Sequence, residues 1–379
     1  MTSVHSHSLV SPAPSLSTTS PSPPRSSLEN KKFVGSSYKS HYEVLEKLGE
    51  GTFGQVHKAK RKSTGCLVAL KRIIIHSENE GVPITGIREI SILKRLSHIN
   101  VIKVIDTAFE PGPDKKAGHI YMVTPYMEHD LSGLLENPRV HLTLGHIKCY
   151  MKQLFEGLCY LHSNHLIHRD IKADFGLARR LDPTQPRDYT NCVVTRWYRP
   201  PELLLGEKKY DSSVDIWGAG CVYAECLTGK PLLPGKSDLD QLNIIFKLCG
   251  TPTQDNMPNW DKLPGCEGVK EFTPRPRDVL PRLRGHDPLC VDLLDKILVL
   301  NPKQRLTAHQ VLDHDSFYSE PYPTQPRDLP KFESSHEVDR RRFQQEAQKI
   351  KSNRNHRNER RNQNNRRAPP YHRSNHSRR

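Results

Sequence analysis

The chain has 379 residues and a formal net charge of +15, long enough for two ordinary domains or one bilobal one. Residues 340–379 hold fourteen Lys or Arg against two Asp or Glu, which leaves only +3 for the other 339 residues and excludes a uniformly basic nucleic-acid-binding body. No apolar run of about 18 residues marks a membrane span and the N-terminus has no apolar signal core, while nine scattered cysteines without a Cys-x-x-Cys pair indicate free thiols in a reducing compartment.

Eighteen of residues 1–30 are Ser, Thr or Pro, so residues 1–40 are expected to be a disordered Ser/Pro-rich extension. Strand-like content starts at Tyr42 and runs to Leu48. Val56 to Ala59 and Leu67 to Ile75 follow across a Gly-rich turn. Ile87, Ile90, Leu93 and Leu96 fall at helical spacing. Val101 to Phe109 and Ile120 to Tyr126 read as two more strands, giving an antiparallel sheet with one helix. Beyond about residue 130 the pattern is mostly helical, over roughly 143–163, 213–229, 237–249 and 288–299, with Pro-rich breaks at 262–285 and 321–330. The domain is expected over 42–318, with packing ended by about residue 330. Residues 319–379 are expected to be a polar, basic, disordered tail.

Gly49-Glu50-Gly51-Thr52-Phe53-Gly54-Gln55-Val56 matches G-x-G-x-x-G-x-V. Alone this is a weak signal, because any tight hairpin uses glycine. Here it precedes Val68-Ala69-Leu70-Lys71, a strand whose lysine can pair with phosphates, and then Glu89, a helical carboxylate able to orient Lys71. Separately these could be a turn, a solvated strand lysine and a surface carboxylate. Their order and spacing make that joint reading untenable.

The chain resembles the eukaryotic protein kinases at this point, and the cyclin-dependent kinases in particular. Pro83-Ile84-Thr85-Gly86-Ile87-Arg88-Glu89 is similar to that family's cyclin-contacting helix, His168-Arg169-Asp170-Ile171-Lys172 to its catalytic loop, and Asp174-Phe175-Gly176 to its magnesium motif. Trp197-Tyr198-Arg199-Pro200-Pro201-Glu202 resembles the end of the activation segment, Asp215-Ile216-Trp217-Gly218 the start of the anchoring helix, and Arg305 the partner of Glu202. The resemblance covers roughly 42–318. It implies an α+β, bilobal protein kinase fold: a small β-rich upper lobe with one regulatory helix, a larger helical lower lobe, and disordered termini.

The implied chemistry is transfer of the ATP γ-phosphate with magnesium. Asp170 would orient the attacking hydroxyl, Lys172 would stabilise the transferring group, and Asp174 would hold magnesium. The nucleotide would lie against Leu48, Gly49, Glu50, Gly51, Thr52, Phe53, Gly54, Gln55, Val56, Ala69, Lys71, Thr124, Met127 and Asp130, with Thr124 as gatekeeper and Asp130 at the ribose edge. Thr190 aligns with the activating threonine, and Arg88, Arg169 and Arg179 with the arginines that gather around its phosphate. Val193, Val194 and Arg199 match positions that select proline after the phosphoacceptor.

Glu128-His129-Asp130-Leu131, Tyr189-Thr190-Asn191 and the insert at 111–118 are similar to the transcription-elongation branch, and the polar basic tail looks fungal. That branch implies a cyclin bound at Pro83–Glu89, RNA polymerase II C-terminal repeats as substrate, and a nuclear location. Another nuclear cyclin-dependent kinase is the alternative. Arg360-Arg361, Arg366-Arg367 and Arg378-Arg379 in the tail suit nuclear import or weak contact with RNA or phosphoproteins. Only Phe343 and Tyr371 are aromatic there, which gives little support to base stacking.

One interval departs from the family. Asp170 and Asp174 stand four residues apart, about fourteen short of the family pattern, which places an asparagine metal ligand after the catalytic aspartate. The missing stretch would also supply the hairpin beneath the nucleotide. Weak activity is therefore expected of this chain. The flanking motifs stay in register, so a mis-joined exon is the simplest account, and a cyclin-binding pseudokinase scaffold is the reading from another class.

Overall fold

The computed structural model describes residues 37–51, 54–73, 84–112, 118–171, 178–180, 188–190, 193–269 and 272–336, with Asp339, Arg342, Phe343 and Gln345. An upper lobe is built on a six-stranded sheet. Its strands are β1 (Ser37–Tyr38), β2 (Tyr42–Gly51), β3 (Gly54–Arg61), β4 (Leu67–Ile73), β5 (Asp106–Glu110) and β6 (His119–Pro125), in the order β1-β5-β6-β4-β3-β2. Alternation along β4 puts Val68 and Leu70 into a core with Tyr42, Ala59, Ala108, Tyr121 and Val123, and turns Ala69 and Lys71 to the other face. Helix α1 (Ile84–Leu93) begins three residues before the apolar stripe and ends before Leu96.

Three expectations shift here. The sheet is not wholly antiparallel, because β1 runs parallel to β5. Residues 37–40, placed by composition in the disordered extension, belong to the sheet region instead. The physical reason is Asp106, whose Oδ2 accepts hydrogen bonds from Ser37 Oγ at 2.7 Å and Tyr42 Oη at 2.6 Å. A partly buried carboxylate needs such donors, and they fasten the incoming chain. The fifth strand also starts at Asp106 rather than Val101, which is buried in the preceding loop.

The lower lobe contains α2 (Leu131–Glu136), α3 (Leu144–Ser163), α4 (Pro201–Leu204), α5 (Ser213–Thr228), α6 (Asp238–Cys249), α7 (Val279–Leu283), α8 (Pro288–Ile297) and α9 (Ala308–Leu312). Two short strands, β7 (Leu166–Ile167) and β8 (Arg179–Arg180), pair antiparallel beside them. Thr143 caps α3 through a reciprocal capping box with His146. Helix α5 is apolar on nearly all sides and correspondingly buried, as a central helix must be.

The tail expectation also meets a difference. Residues 319–336 lie against the lower lobe and the linker between lobes. Lys148, completely buried, donates from Nζ to the Ser319 carbonyl at 3.2 Å, and Thr324 N donates to the Gly145 carbonyl at 3.0 Å. A buried ammonium requires acceptors, and only the chain after residue 318 supplies these. Residues from 346 onward lie outside the described residues.

Glu202 and Arg305 form a bidentate pair at 2.6 Å for both bonds, with side chains 3% and 0% exposed. Arg305 also stands over the Trp217 ring, its guanidinium 4.9 Å from the centroid. Arg305→Ala would strand a buried carboxylate. Chemical denaturation should show a loss of about 3–5 kcal/mol. A loss below about 1 kcal/mol would mean that Glu202 finds water instead.

Candidate active site

The upper wall comes from the Gly-rich hairpin and β4. Gly49 pairs with Val56, Glu50 with Gln55 and Gly51 with Gly54, so only Thr52 and Phe53 remain for the turn, and these two lie outside the described residues. Lys71 sits opposite Val56 on one side and Met122 on the other. Its Nζ donates to both oxygens of Glu89, at 2.8 and 3.1 Å, with Glu89 only 2% exposed. The pair links β4 to α1. Ala69 faces Thr124 across the sheet, and Thr124 is buried.

The lower wall is the catalytic loop. His168, Arg169 and Asp170 are all buried, and Arg169 has φ of 66°. A non-glycine residue in the left-handed region costs about 1–3 kcal/mol and needs fixing from outside. Asp215, on the first turn of α5, does this: its Oδ2 accepts from His168 N at 2.8 Å and its Oδ1 from Arg169 N at 2.7 Å. His162 Nε2 lies 3.0 Å from the same Oδ2. Asp170 in turn accepts from Thr195, with Oγ1 at 3.2 Å from both carboxylate oxygens and N at 3.3 Å. Asp170 is thus tied to the segment around Thr195.

Around the activation threonine, Tyr210 is the residue that motif reading missed. Its hydroxyl accepts from Arg169 Nη1 at 2.9 Å and donates to the Thr190 carbonyl at 2.7 Å. Arg169 and Thr190 are joined through it, with the Thr190 side chain left exposed. Arg88 is half-buried on α1. Arg179 lies in β8, and its side chain is outside the described residues.

Just beyond, Val194 has φ of 68°. A β-branched residue rarely adopts this conformation. The consequence is that its carbonyl turns toward Arg199, which donates to it from Nη2 at 2.9 Å and from Nε at 3.2 Å. Arg199 Nε also reaches the Val193 carbonyl at 2.8 Å. The Val194 carbonyl is therefore already satisfied. If a phosphoacceptor lies beside it, as the resemblance implies, a following residue with an N–H would be left unpaired, whereas proline has none to pair.

The interval between Asp170 and Ala178 is where the described site stops. Lys172 and Asp174 lie outside the described residues, as does Pro83. β7 pairs directly with β8, and no strand is described between them. Among the described residues no group of three or more His, Cys, Asp or Glu stands close enough to hold a metal ion.

The linker carries a second feature absent from motif reading. Ser335, fully buried, pairs with His129 as a parallel bridge. Ser335 N donates to the Glu128 carbonyl and Asp130 N to the Ser335 carbonyl, both at 3.2 Å. Tyr126 Oη lies 3.3 Å from His336 Nε2. Asp130, expected at the ribose edge, caps α2 by accepting from Gly133 N at 2.6 Å, and its Oδ2 is 3.7 Å from His336 Nδ1. Met127 between them is half-exposed. A polar tail sequence has no periodicity that would reveal such docking.

Residues 42–317 match the family model described as protein kinase domain, a family that in general uses ATP and magnesium. The serine/threonine-protein kinase bur1 of Emericella nidulans is 51% identical over 338 residues, covering 82% of this chain and 62% of the relative. The probable cyclin-dependent kinase 9 of Schizosaccharomyces pombe is 50% identical, covering 82% and 57%. Cyclin-dependent kinase C-1 of Oryza sativa subsp. japonica is 44% identical, covering 86% and 68%. This chain thus spans about three-fifths of the length of the two fungal relatives. With the Emericella relative, 338 positions align while covering 82% of the 379 residues here, so the relative carries residues within the match that this chain lacks. A crystal structure of the yeast RNA Pol II CTD kinase CTDK-1 complex matches with a TM-score of 0.68 and 35% identity, covering 75% of this chain and 94% of that one.

Burial opposes the charge on Asp215, but the hydrogen bond from His162, the charges of His162 and His168 and the N–H of His168 outweigh it, holding its carboxyl below the ordinary range. A depressed carboxyl stabilises the fold fully above the unfolded value of about 4 and ceases to do so as pH falls through the folded value. Asp215→Asn should therefore be less stable than the parent at pH 7, by about 2–4 kcal/mol, with the gap narrowing below pH of about 4. Denaturant melts at both pH values test this; a gap independent of pH would contradict it.

Proposed function

This chain belongs to the protein kinase family, on its cyclin-dependent branch, and from that we propose that it is a nuclear serine/threonine kinase directed to Ser/Thr-Pro sites. The observation that carries the proline preference is the Val194 carbonyl held by Arg199 at 2.9 and 3.2 Å. The substrate class we assign is the C-terminal repeats of RNA polymerase II. The fungal relatives named above and the likeness to the CTDK-1 complex support that choice.

In this reading Lys71, oriented by Glu89, holds the ATP phosphates, and Asp170 orients the attacking hydroxyl while Thr195 keeps it in place. When bound, magnesium neutralises charge on the phosphates, with Asp174 as the assigned ligand. A cyclin would occupy the α1 side, where Ile87 is 51% exposed. An apolar side chain left open on a regulatory helix suits a partner better than water. Phosphate on Thr190 would place negative charge beside Arg169 and Tyr210.

A second reading has a specific observation behind it. The four-residue interval from Asp170 to Asp174 leaves no room for the hairpin and asparagine of the family pattern, and such a chain can serve as a cyclin-binding scaffold with little turnover.

Two experiments decide between these outcomes. With cyclin added, a Ser-Pro repeat peptide should outpace its Ser-Ala counterpart by at least about tenfold, and Arg199→Ala should shrink that ratio. Equal rates on both peptides would remove the proline assignment. Inserting between Lys172 and Asp174 a segment of about fourteen residues with the asparagine that the family pattern places there should raise turnover at least about tenfold, with Asp170→Asn abolishing it. An unchanged rate after insertion would show that the segment is dispensable.

A further inference from the structure

Outside the site described above, the lower lobe holds a cavity of about 930 Å3 between the end of α5, the loop after it, α6 and α7. Its floor is apolar, with Leu233, Leu248 and Leu283 all buried. Lys230, Lys247 and Arg282 line it and are exposed at its edge, and His286 stands beside them. None of these four side chains makes a hydrogen bond or ion pair within the described residues. Asp278, at the N-cap of α7, is the one acidic residue in the lining. The remainder of the body is close to neutral, so three cations without acceptors around one concavity are a local excess.

The position of the cavity relates it to substrate handling. Its wall, Pro231 to Pro234, runs directly into Gly235, whose carbonyl accepts from Trp197 Nε1 at 2.9 Å. Trp197 lies between Thr195, bound to Asp170, and Arg199, which fixes Val194. One continuous set of contacts therefore joins the wall to the residues that position a phosphoacceptor.

We propose that this cavity docks a peptide segment already carrying phosphoserine, so that a substrate phosphorylated at one site is held while another is presented. Phosphoserine supplies nearly two negative charges and three acceptor oxygens, matching lysine and arginine donors that lack partners. The apolar floor suits a neighbouring proline or aliphatic side chain. Single-stranded RNA is disfavoured, because stacking needs aromatic rings and His286 is the only aromatic ring in the lining. The role in substrate handling rests on the kinase reading above, but binding itself does not, so it is measured without nucleotide.

The test uses the full chain and a fluorescein-labelled peptide with two phosphoserine-proline pairs, beside its unphosphorylated twin, in fluorescence anisotropy at physiological salt. The parent should bind the phosphorylated peptide about tenfold more tightly than its twin. Lys247→Glu combined with Arg282→Glu should abolish that preference, and Lys247→Arg should retain it. Lys230→Ala provides a milder variant, expected to weaken binding about threefold. Because these side chains are exposed and unpaired, the variants should melt with the parent. A preference that survives the double charge reversal would place the phosphate on the basic tail or on the arginines around Thr190, and would overturn the proposal. So would equal binding of the two peptides, or loss of single-stranded RNA binding in parallel with the phosphopeptide. Failure here would leave the Ser-Pro kinase assays untouched.

Discussion

The structure hinges on one buried carboxylate. Asp215 is anchored in the first turn of α5, the helix buried on nearly every side, and its two oxygens receive the N–H groups of His168 and Arg169. Those bonds hold Arg169 at a φ of 66° that it would not keep unaided. The backbone twist fixes where Asp170 points, and Asp170 holds Thr195. Core packing is thereby converted, through Asp215, His168 and Arg169, into the position of Asp170. Removing the charge affects stability and site geometry together.

A similar coupling operates on the other walls. Lys71 and Glu89 tie a strand to a helix whose exposed face carries Ile87, so a partner on that helix would act on Lys71. Arg169 and Thr190 are linked by a single tyrosine hydroxyl. Phosphate at Thr190 would thus be felt by the residue preceding Asp170. Arg199 fixes the Val194 carbonyl and so holds a strained backbone in place. Each device depends on a polar group that is buried or satisfied within the protein, where such groups have directional consequences.

The parts legible in advance were those with local signatures. Strand alternation gave β2 to β6 within a few residues, apart from the late start of β5 at Asp106. Helical periodicity located α3, α5, α6 and α8. Of the motif residues, Lys71 pairs with Glu89 and Glu202 with Arg305. Tyr210, His162 and Thr195 did not stand out, since a tyrosine, a histidine and a threonine have no pattern of their own. Their roles arise from meeting Arg169, Asp215 and Asp170 across long sequence separations. The same holds for Ser335 and His336, which composition assigned to a disordered tail and which meet the linker through its backbone and through Tyr126 respectively.

By itself, the sequence determined the family, the order of elements, the residues of the phosphate-handling motifs and the short interval between Asp170 and Asp174. These are set by local spacing and residue type, which survive in one dimension. Only the tertiary structure decided which polar groups satisfy one another. It decided that Asp215 restrains Arg169, that Arg199 occupies the Val194 carbonyl, that residues 319–336 return to the body, and that three cations with no acceptor share one cavity. The physical reason is that burial and hydrogen-bond satisfaction are properties of atoms brought together by folding, and chain neighbours carry no record of them.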